Sequence, residues 1–375
     1  INVSLKSNVT DLSQVVVIGY GSQNKKDVTG AVKSLKSEEF NKGIITSPQQ
    51  LLQGKVSGVN VTSASGEPGS ITGISIRGPG GVRSGSTPLF VIDGLPLDNS
   101  NTGIGDPLSF INPQDIESMD VLKDASATAI YGSRGANGVI IITTKKGKAG
   151  ASTLSASAST GYSTLSRALP VLTADEFRVE VPKAGGVLDD KGGNTDWQKE
   201  ATRTARTDNY NLSLSGGADK LTYFASAGVQ LQQGIIKKND LDRFSGRFNA
   251  TQKFWEDRIV VEMNIDAANT KQTRPPLTSV LADALINNPT YPAKDANDNP
   301  IYYQNITNPY LYFELDKEIT TTNRIIGSIS PSVKIIKGLV YKLNLGVDYS
   351  TATRDLENLP NAVPFREGRL ESFYN

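Results

Sequence analysis

Cysteine and histidine are both absent from this chain of 375 residues. Their absence removes thiol nucleophiles, Cys or His metal sites, Ser-His-Asp triads and imidazole acid–base chemistry in one step. It also fits an oxidising compartment, where a stray thiol is a liability. Net charge is nearly absent too, with 39 Lys and Arg against 38 Asp and Glu. The one short basic cluster, Lys145, Lys146 and Lys148, reads as a solvated strand end, so no nucleic-acid partner is expected. No stretch approaches the roughly 18 consecutive apolar residues of a transmembrane helix, and mean hydropathy is −0.29. Membrane β-barrels escape both measures, because only every second residue of their strands faces lipid.

What is present begins with Val15-Val16-Val17-Ile18-Gly19-Tyr20-Gly21, a β-branched run between polar flanks. Such a run suits a strand kept for the edge of a partner's sheet, where main-chain hydrogen bonds supply affinity. It equally suits an ordinary buried edge strand, and the run alone leaves both readings open. Ile1 to Leu5 alternates like the last strand of something already under way, and Ile1 is expected to be an internal start.

Residues 28–148 are glycine-rich, with short strand and helix signals in alternation. Ser47-Pro48 stands where a capping serine and first-turn proline open a short helix. Val59–Thr62, Ile74–Arg77, Leu89–Ile92, Ser118–Leu122 and Val139–Thr144 read as strands, Asp93-Gly94 as a turn, and Asp124–Ile130 as a helical turn. After Gly150 the strands lengthen and alternate strictly. Tyr341, Leu343, Leu345, Val347 and Tyr349 oppose Lys342, Asn344, Gly346 and Asp348, so one face suits lipid and the other water. Phe244, Phe248 and Phe254 likewise oppose Arg247, Asn249 and Lys253. About seven such strands lie between residues 151 and 352. Alternation by itself also fits a β-sandwich. The connections favour a membrane barrel: tight turns at 216–219, 255–258 and 337–338 alternate with longer polar segments at 166–207, 233–242 and 271–322.

These residues resemble the SusC/RagA family of TonB-dependent outer-membrane transporters of Bacteroidetes. Val15 to Gly21 is similar to its TonB box. Residues 28–148 look like its plug, most specifically in Ile74-Ser75-Ile76-Arg77-Gly78, in Pro88 to Gly94, and in the long string from Val121 through Tyr131-Gly132-Ser133-Arg134 to Gly138. Asn194 to Gln198 and Leu212 to Gly217 are similar to the first outer loop and second barrel strand. The likeness implies a mixed fold, a small α/β plug inside a transmembrane antiparallel β-barrel of about 22 strands. Seven strands cannot close such a barrel, and an open sheet in lipid leaves backbone groups unpaired. The chain is therefore expected to be an N-terminal part. Residues 1–14 would end a periplasmic β domain, 15–27 carry the TonB box and linker, 28–148 form the plug, and 149–375 begin the barrel with its long extracellular loops.

The implied activity is TonB-dependent import of an oligosaccharide or oligopeptide across the bacterial outer membrane, with no enzyme chemistry, cofactor or metal. Implied partners are TonB energised by ExbB/ExbD, a SusD-like lid lipoprotein, outer-membrane lipid, and a second transporter–lid pair. TonB would add as a strand to Val15, Val16, Val17, Ile18, Gly19 and Tyr20, with residues 22–27 as a flexible tether. Arg77, Asp93 and Arg134 are expected to make ionic contacts between plug and lumen wall. Trp197, Tyr302, Tyr303 and Tyr310, in outer loops, are candidates to touch cargo or lid, with girdle and packing roles as the alternative. Arg83 and Ser84 follow Gly78-Pro79-Gly80-Gly81 in a loop expected to face the cargo cavity. Asp295 to Asn299 begins like a calcium loop, but Pro300 and Ile306 stand where glycine and glutamate are needed, so a polar turn is expected. A different class, a glycan-binding adhesin or receptor without transport, would explain the aromatic loops but leave the β-branched run and the plug string without a purpose. The adjacent Asp189 and Asp190 are expected to be solvated carboxylates rather than a glycosidase pair.

Overall fold

The structure, a computed structural model, describes residues 15–18, 21–24, 32–78, 86–97, 106–362 and 365–374. Near the start, β1 (Val15–Ile18) and β2 (Gly21–Asn24) pair antiparallel, with Ile18 opposite Gly21. The polar segment expected as a tether is thus, in its first part, a strand of its own.

A five-stranded sheet follows, built from β3 (Val32–Lys36), β6 (Leu89–Ile92), β7 (Leu95–Pro96), β8 (Ile116–Leu122) and β9 (Val139–Thr144). Its order is β3-β8-β9-β6-β7, while β4 (Val59–Ser63) and β5 (Thr72–Ile76) pair separately. Strands β6 and β9 run parallel, and their continuous apolar sequences, Leu-Phe-Val-Ile and Val-Ile-Ile-Ile, are what burial on both faces requires. Asp93 and Gly94 reverse the chain between β6 and β7 with φ of 48° and 88°. Two positive φ values across a two-residue connection define the Asp-Gly hairpin turn that the sequence announces.

Two local expectations change. Only Ala125–Thr128 (α1) is α-helical, and the backbone tightens into 3-10 turns through Gly135, interrupted at Gly132. Pro48–Leu52 is likewise a 3-10 segment, and the Ser47 hydroxyl pairs with that of Thr72 at 3.3 Å instead of capping it.

Most of the remaining strands form one antiparallel wall. Strands β10 (Gly150–Ser163), β11 (Ala205–Gly217), β12 (Leu221–Gln233), β13 (Asp240–Phe254), β14 (Ile259–Arg274) and β15 (Asp316–Ile336) are consecutive antiparallel neighbours. Strands β16 (Leu339–Lys342) and β17 (Leu345–Asn358) both pair with β15, and β20 (Arg369–Tyr374) pairs with β17. A small hairpin, β18 (Asn361–Ala362) and β19 (Phe365–Arg366), precedes β20.

Register makes the alternation two-dimensional. The row Leu154, Leu214, Ala225, Phe248, Ile265, Gly327, Val347 crosses seven strands on one face. Leu154, Leu214, Phe248, Ile265 and Val347 are all exposed, as a lipid-facing surface requires. The expected strand Tyr341–Tyr349 is broken at Leu343-Asn344. Opposite the break stands Pro331, which has no N–H to donate to the ladder. Among the described residues no helix is long and apolar enough to cross a membrane.

Long connections gather at one rim and tight turns at the other. Of the segments expected to be long, the one between β12 and β13 shortens to residues 234–239, while the other two fold. The connection 164–204 contains α2 (Ala174–Lys183) and α3 (Trp197–Ala201), and 275–315 contains α4 (Leu277–Ile286) and α5 (Pro309–Leu315).

The α/β sheet packs against the polar face of this wall. Its core joins Leu52, Phe90, Leu97, Leu108, Met119 and Ile142 to Ala268 and Ile326 of the wall. Three wall glycines admit side chains from inside: Gly161 receives Ile44, Gly228 receives Asn112, and Gly346 receives Leu95. Gly147, where the chain passes from β9 toward the wall, lies directly on the Tyr223 backbone. A methyl group there has no flexible neighbour to displace, so Gly147→Ala is expected to cost about 1–3 kcal/mol. A lowered thermal midpoint of the full chain in detergent measures it.

Candidate functional site

The inner seam, between plug and wall, is polar and rich in hydrogen bonds and ion pairs. The tight turn at Asp93 aims its carboxylate between β9 and the wall. It accepts the Thr144 N–H at 3.0 Å, the Thr144 hydroxyl at 2.6 Å and the Arg247 Nη2 at 2.6 Å. Arg247 also bonds Asp266, its cross-strand neighbour in the β13–β14 register. All three side chains are buried, with Arg247 only 2% exposed. Nearby, Glu262 accepts from Lys146 at 2.9 Å and from Lys342 at 3.2 Å, and Asn249 donates to the Lys145 carbonyl at 2.7 Å.

Higher in the lumen, Ser226 donates to Asp115 at 2.6 Å, and Arg243 donates to the carbonyls of Ser109 and Ile111 at 3.1 and 3.3 Å. Arg324 donates to the Pro107 carbonyl at 3.0 Å while pairing with Asp348 at 2.6 Å. A cavity of about 150 Å3 remains between plug loops and wall, lined in part by Ser47, Thr72, Asp106, Gln230, Arg243 and Thr270.

The plug carboxylates respond in opposite directions. Burial pushes Asp93 up, but the Arg247 guanidinium and the Thr144 donors outweigh it and hold the group below its ordinary 3.8. Burial dominates at Asp106 and Asp115 and raises both. A lowered folded-state pKa stabilises the fold above the unfolded value and loses that contribution as pH falls through the folded one; a raised pKa does the reverse. Stability is therefore expected to rise modestly as pH drops from neutral toward the ordinary carboxylate range, through Asp106 and Asp115. It then falls below pH 3.8, as Asp93 is protonated. Unfolding midpoints against pH for the chain and for Asp93→Asn check this, since the variant should lose the acid limb attributable to Asp93.

Of the three charged residues expected at this seam, Asp93 makes the wall contact. Arg77 instead pairs within the plug, with Asp124 at 2.6 Å on an exposed surface, where such a pair contributes about 0–1 kcal/mol. Arg134 is exposed on the 3-10 segment. Arg83 and Ser84 lie outside the described residues, as do Gly19 and Tyr20.

The outer loops form a second packed layer. Thr173 and Glu176 make a reciprocal capping box that starts α2. Asp196 caps α3 and thereby sets Trp197 into a cluster with Val280, Ala284, Tyr291 and Phe313. The indole is 3% exposed and donates to the Asn288 carbonyl at 3.0 Å, so its contacts are packing contacts. Tyr303 stacks edge-on against Tyr291 at 4.7 Å and donates to the Pro292 carbonyl. Tyr310 donates to Glu200 at 2.7 Å, with the ammonium groups of Lys237 and Lys294 at 5.0 and 4.9 Å from its ring centroid. Tyr302 donates to Glu314. Tyr312 donates to Asp283 at 2.7 Å, and burial together with this carboxylate pushes its phenol up to about 12. Asp295 accepts the backbone N–H groups of Asn297 and Asn299, which makes its loop a polar turn.

Sequence reading missed the wall half of the seam. Arg247 was visible as a polar-face residue, but its pairing with Asp266 and Asp93 depends on strand register and on the plug's orientation, neither of which a local pattern carries. Charged residues on the inward parity of long strands were the available signal.

A compact α/β plug, held by buried ion pairs to an antiparallel wall that is polar inside and apolar outside, defines a plugged outer-membrane barrel. Comparison with known proteins agrees. Residues 24–139 match the TonB-dependent Receptor Plug Domain. The chain is 37% identical over 385 aligned positions to the TonB-dependent receptor SusC of Bacteroides thetaiotaomicron, covering 94% of this chain and 38% of that protein. It is 41% identical over 246 positions to the TonB-dependent receptor P3 of Formosa agariphila, covering 65% of this chain and 24% of that protein. It superposes on the RagAB peptide importer in its open-open state with a TM-score of 0.83 at 28% identity, covering 96% of this chain and 45% of that one. The chain belongs to the SusC/RagA family of TonB-dependent receptors, which are outer-membrane proteins, and spans less than half the length of these relatives.

Proposed function

We propose that the complete protein actively imports an oligosaccharide or oligopeptide across the outer membrane, with this chain supplying the docking segment, the plug and the first part of the barrel wall. In this reading residues 15–27 dock TonB and link it to the plug, residues 28–148 are the plug, and residues 149–375 begin the barrel. A SusD-like lipoprotein covers the outer loop layer that carries Tyr302, Tyr303 and Tyr310, and transporter–lid pairs assemble as dimers. The ExbB/ExbD-energised TonB draws on residues 15–20 and remodels the plug.

The observation that carries this reading is the chemistry of the seam. A plug sealed by apolar packing alone would stay sealed. Here the seal includes ion pairs and hydrogen bonds, which exchange with water at a modest net cost of about 0.5–1.5 kcal/mol each when both partners are rehydrated. Such a seam is stable at rest and can be reopened by work.

The test is accumulation of labelled cargo in cells carrying the complete protein and its lid, with and without collapse of the proton gradient. Loss of accumulation with cargo still bound at the surface is the expected result. Accumulation that ignores the gradient would remove active transport, and surface binding with no accumulation under any condition would favour an adhesin.

A further inference from the structure

We propose that the tip of the β15–β16 hairpin, with the neighbouring turn at 255–258, is a docking surface for anionic phospholipids of the periplasmic leaflet. The proposal rests on the reading of the wall as part of a membrane barrel, whose rim of tight turns faces the periplasm. Strand β15 outruns its neighbour at that rim. Its pairing with β14 ends where Val333 stands opposite Ile259, followed by one bond from the Lys334 N–H to the Arg258 carbonyl at 2.8 Å. Ile335 to Val340 therefore project past the adjacent turn, paired across their own turn at Lys337-Gly338. Every residue of the run Lys334-Ile335-Ile336-Lys337-Gly338-Leu339-Val340-Tyr341-Lys342 is exposed.

The apolar half of the run says where the tip lies. By strand parity Ile335 continues the lipid-facing line of Ile325, Ile329 and Val333, so the surface is continuous with the membrane face of the wall. Adjacent residues point to opposite faces, and Ile335-Ile336 and Leu339-Val340 therefore make both faces of the tip apolar. A hairpin standing in water gains nothing from that, whereas one immersed in the headgroup layer meets acyl chains and glycerol on each side. The neighbouring turn agrees. Trp255, Glu256 and Asp257 hold φ of 48°, 52° and 65° although none is glycine, a costly backbone for L residues. It leaves the Trp255 indole 76% exposed beside Phe254, and an indole with one apolar and one polar edge suits the membrane interface.

The charged half says which lipid. Lys253 pairs with Asp257 at 3.6 Å and Lys342 with Glu262 at 3.2 Å. Arg258, Lys334 and Lys337 are exposed and, among the described residues, are in no ion pair, which leaves three cations against the single carboxylate of Glu256. A cationic rim around an apolar tip complements a headgroup with net negative charge above acyl chains. Each such cation strengthens attachment to an anionic surface about fivefold. A zwitterionic lipid gains from the apolar half alone.

The complete protein, purified in detergent, would be offered phosphatidylglycerol or phosphatidylcholine with identical acyl chains, and retained lipid counted by native mass spectrometry. Three variants accompany it: Lys334→Gln with Lys337→Gln, Ile335→Ser with Leu339→Ser, and Lys271→Gln on the outer half of β14 as a control for charge elsewhere. The parent is expected to retain phosphatidylglycerol about tenfold or more over phosphatidylcholine. The lysine pair should lose most of that preference with phosphatidylcholine unchanged, the apolar pair should retain less of both lipids, and Lys271→Gln should match the parent. Equal retention of the two lipids by the parent, or an undiminished preference in the lysine pair, would overturn the proposal while leaving the barrel in place. So would a lysine pair that keeps its lipid but imports less cargo, which would give the hairpin to a periplasmic protein, or one that keeps its lipid but no longer self-associates, which would give it to a second copy. Failure of the complete protein to enter vesicles of either lipid would remove the barrel reading and the proposal with it.

Discussion

Replacing Arg247 by methionine is expected to destabilise the folded chain by about 3–5 kcal/mol. Among the described residues the guanidinium is the only cation bonded directly to both Asp93 and Asp266. Removing it leaves two carboxylates facing each other in a site that water hardly reaches. The energy lost is mostly the cost of stranding those charges, since a buried ion pair measured against apolar packing is often neutral. A triple variant, Asp93→Asn, Arg247→Met and Asp266→Asn, should accordingly recover much of the loss. Denaturant unfolding in detergent, with protease access to the plug as a second readout, separates the cases. An Arg247→Met protein as stable as the parent would show that the seam draws its strength from apolar packing instead.

Deleting residues 15–20 is expected to reduce uptake of cargo to background while leaving its binding unchanged. The described segment Val15–Ile18 pairs with β2. The outer loop layer is held by hydrogen bonds of its own, so binding there is expected to survive the deletion. Parallel assays of surface binding and energised accumulation make the comparison. Uptake that survives the deletion would place force transmission elsewhere in the chain.

How much of this could be read from the amino acids alone differs by level. The wall was legible because a strand's face is set by parity: Phe244, Phe248 and Ile265 are exposed where alternation places them, while Arg247 and Asp266 are buried on the other face. The Asp93-Gly94 turn was legible because two positive φ values leave few residue choices. The pairing of β1 with β2 was not, since β-branched residues announce a strand and not its partner. The break at Leu343-Asn344 was hidden for a similar reason. Its cause, Pro331, lies on the neighbouring strand and acts only through register. The outer-loop aromatics were legible but their packing was not, because exposure of Trp197 depends on how α3 and α4 meet.

The wall glycines that admit Ile44, Asn112 and Leu95 stand on three different strands, β10, β12 and β17. Like notches cut around a cylinder, they fix the angle at which the plug sits, because rotation about the barrel axis would drive each of those side chains into a neighbouring residue with a Cβ. Twisting would disturb all three of these side-chain contacts at once. Sliding along the axis would free all three keys together, whereas unravelling one segment at a time would leave the others engaged.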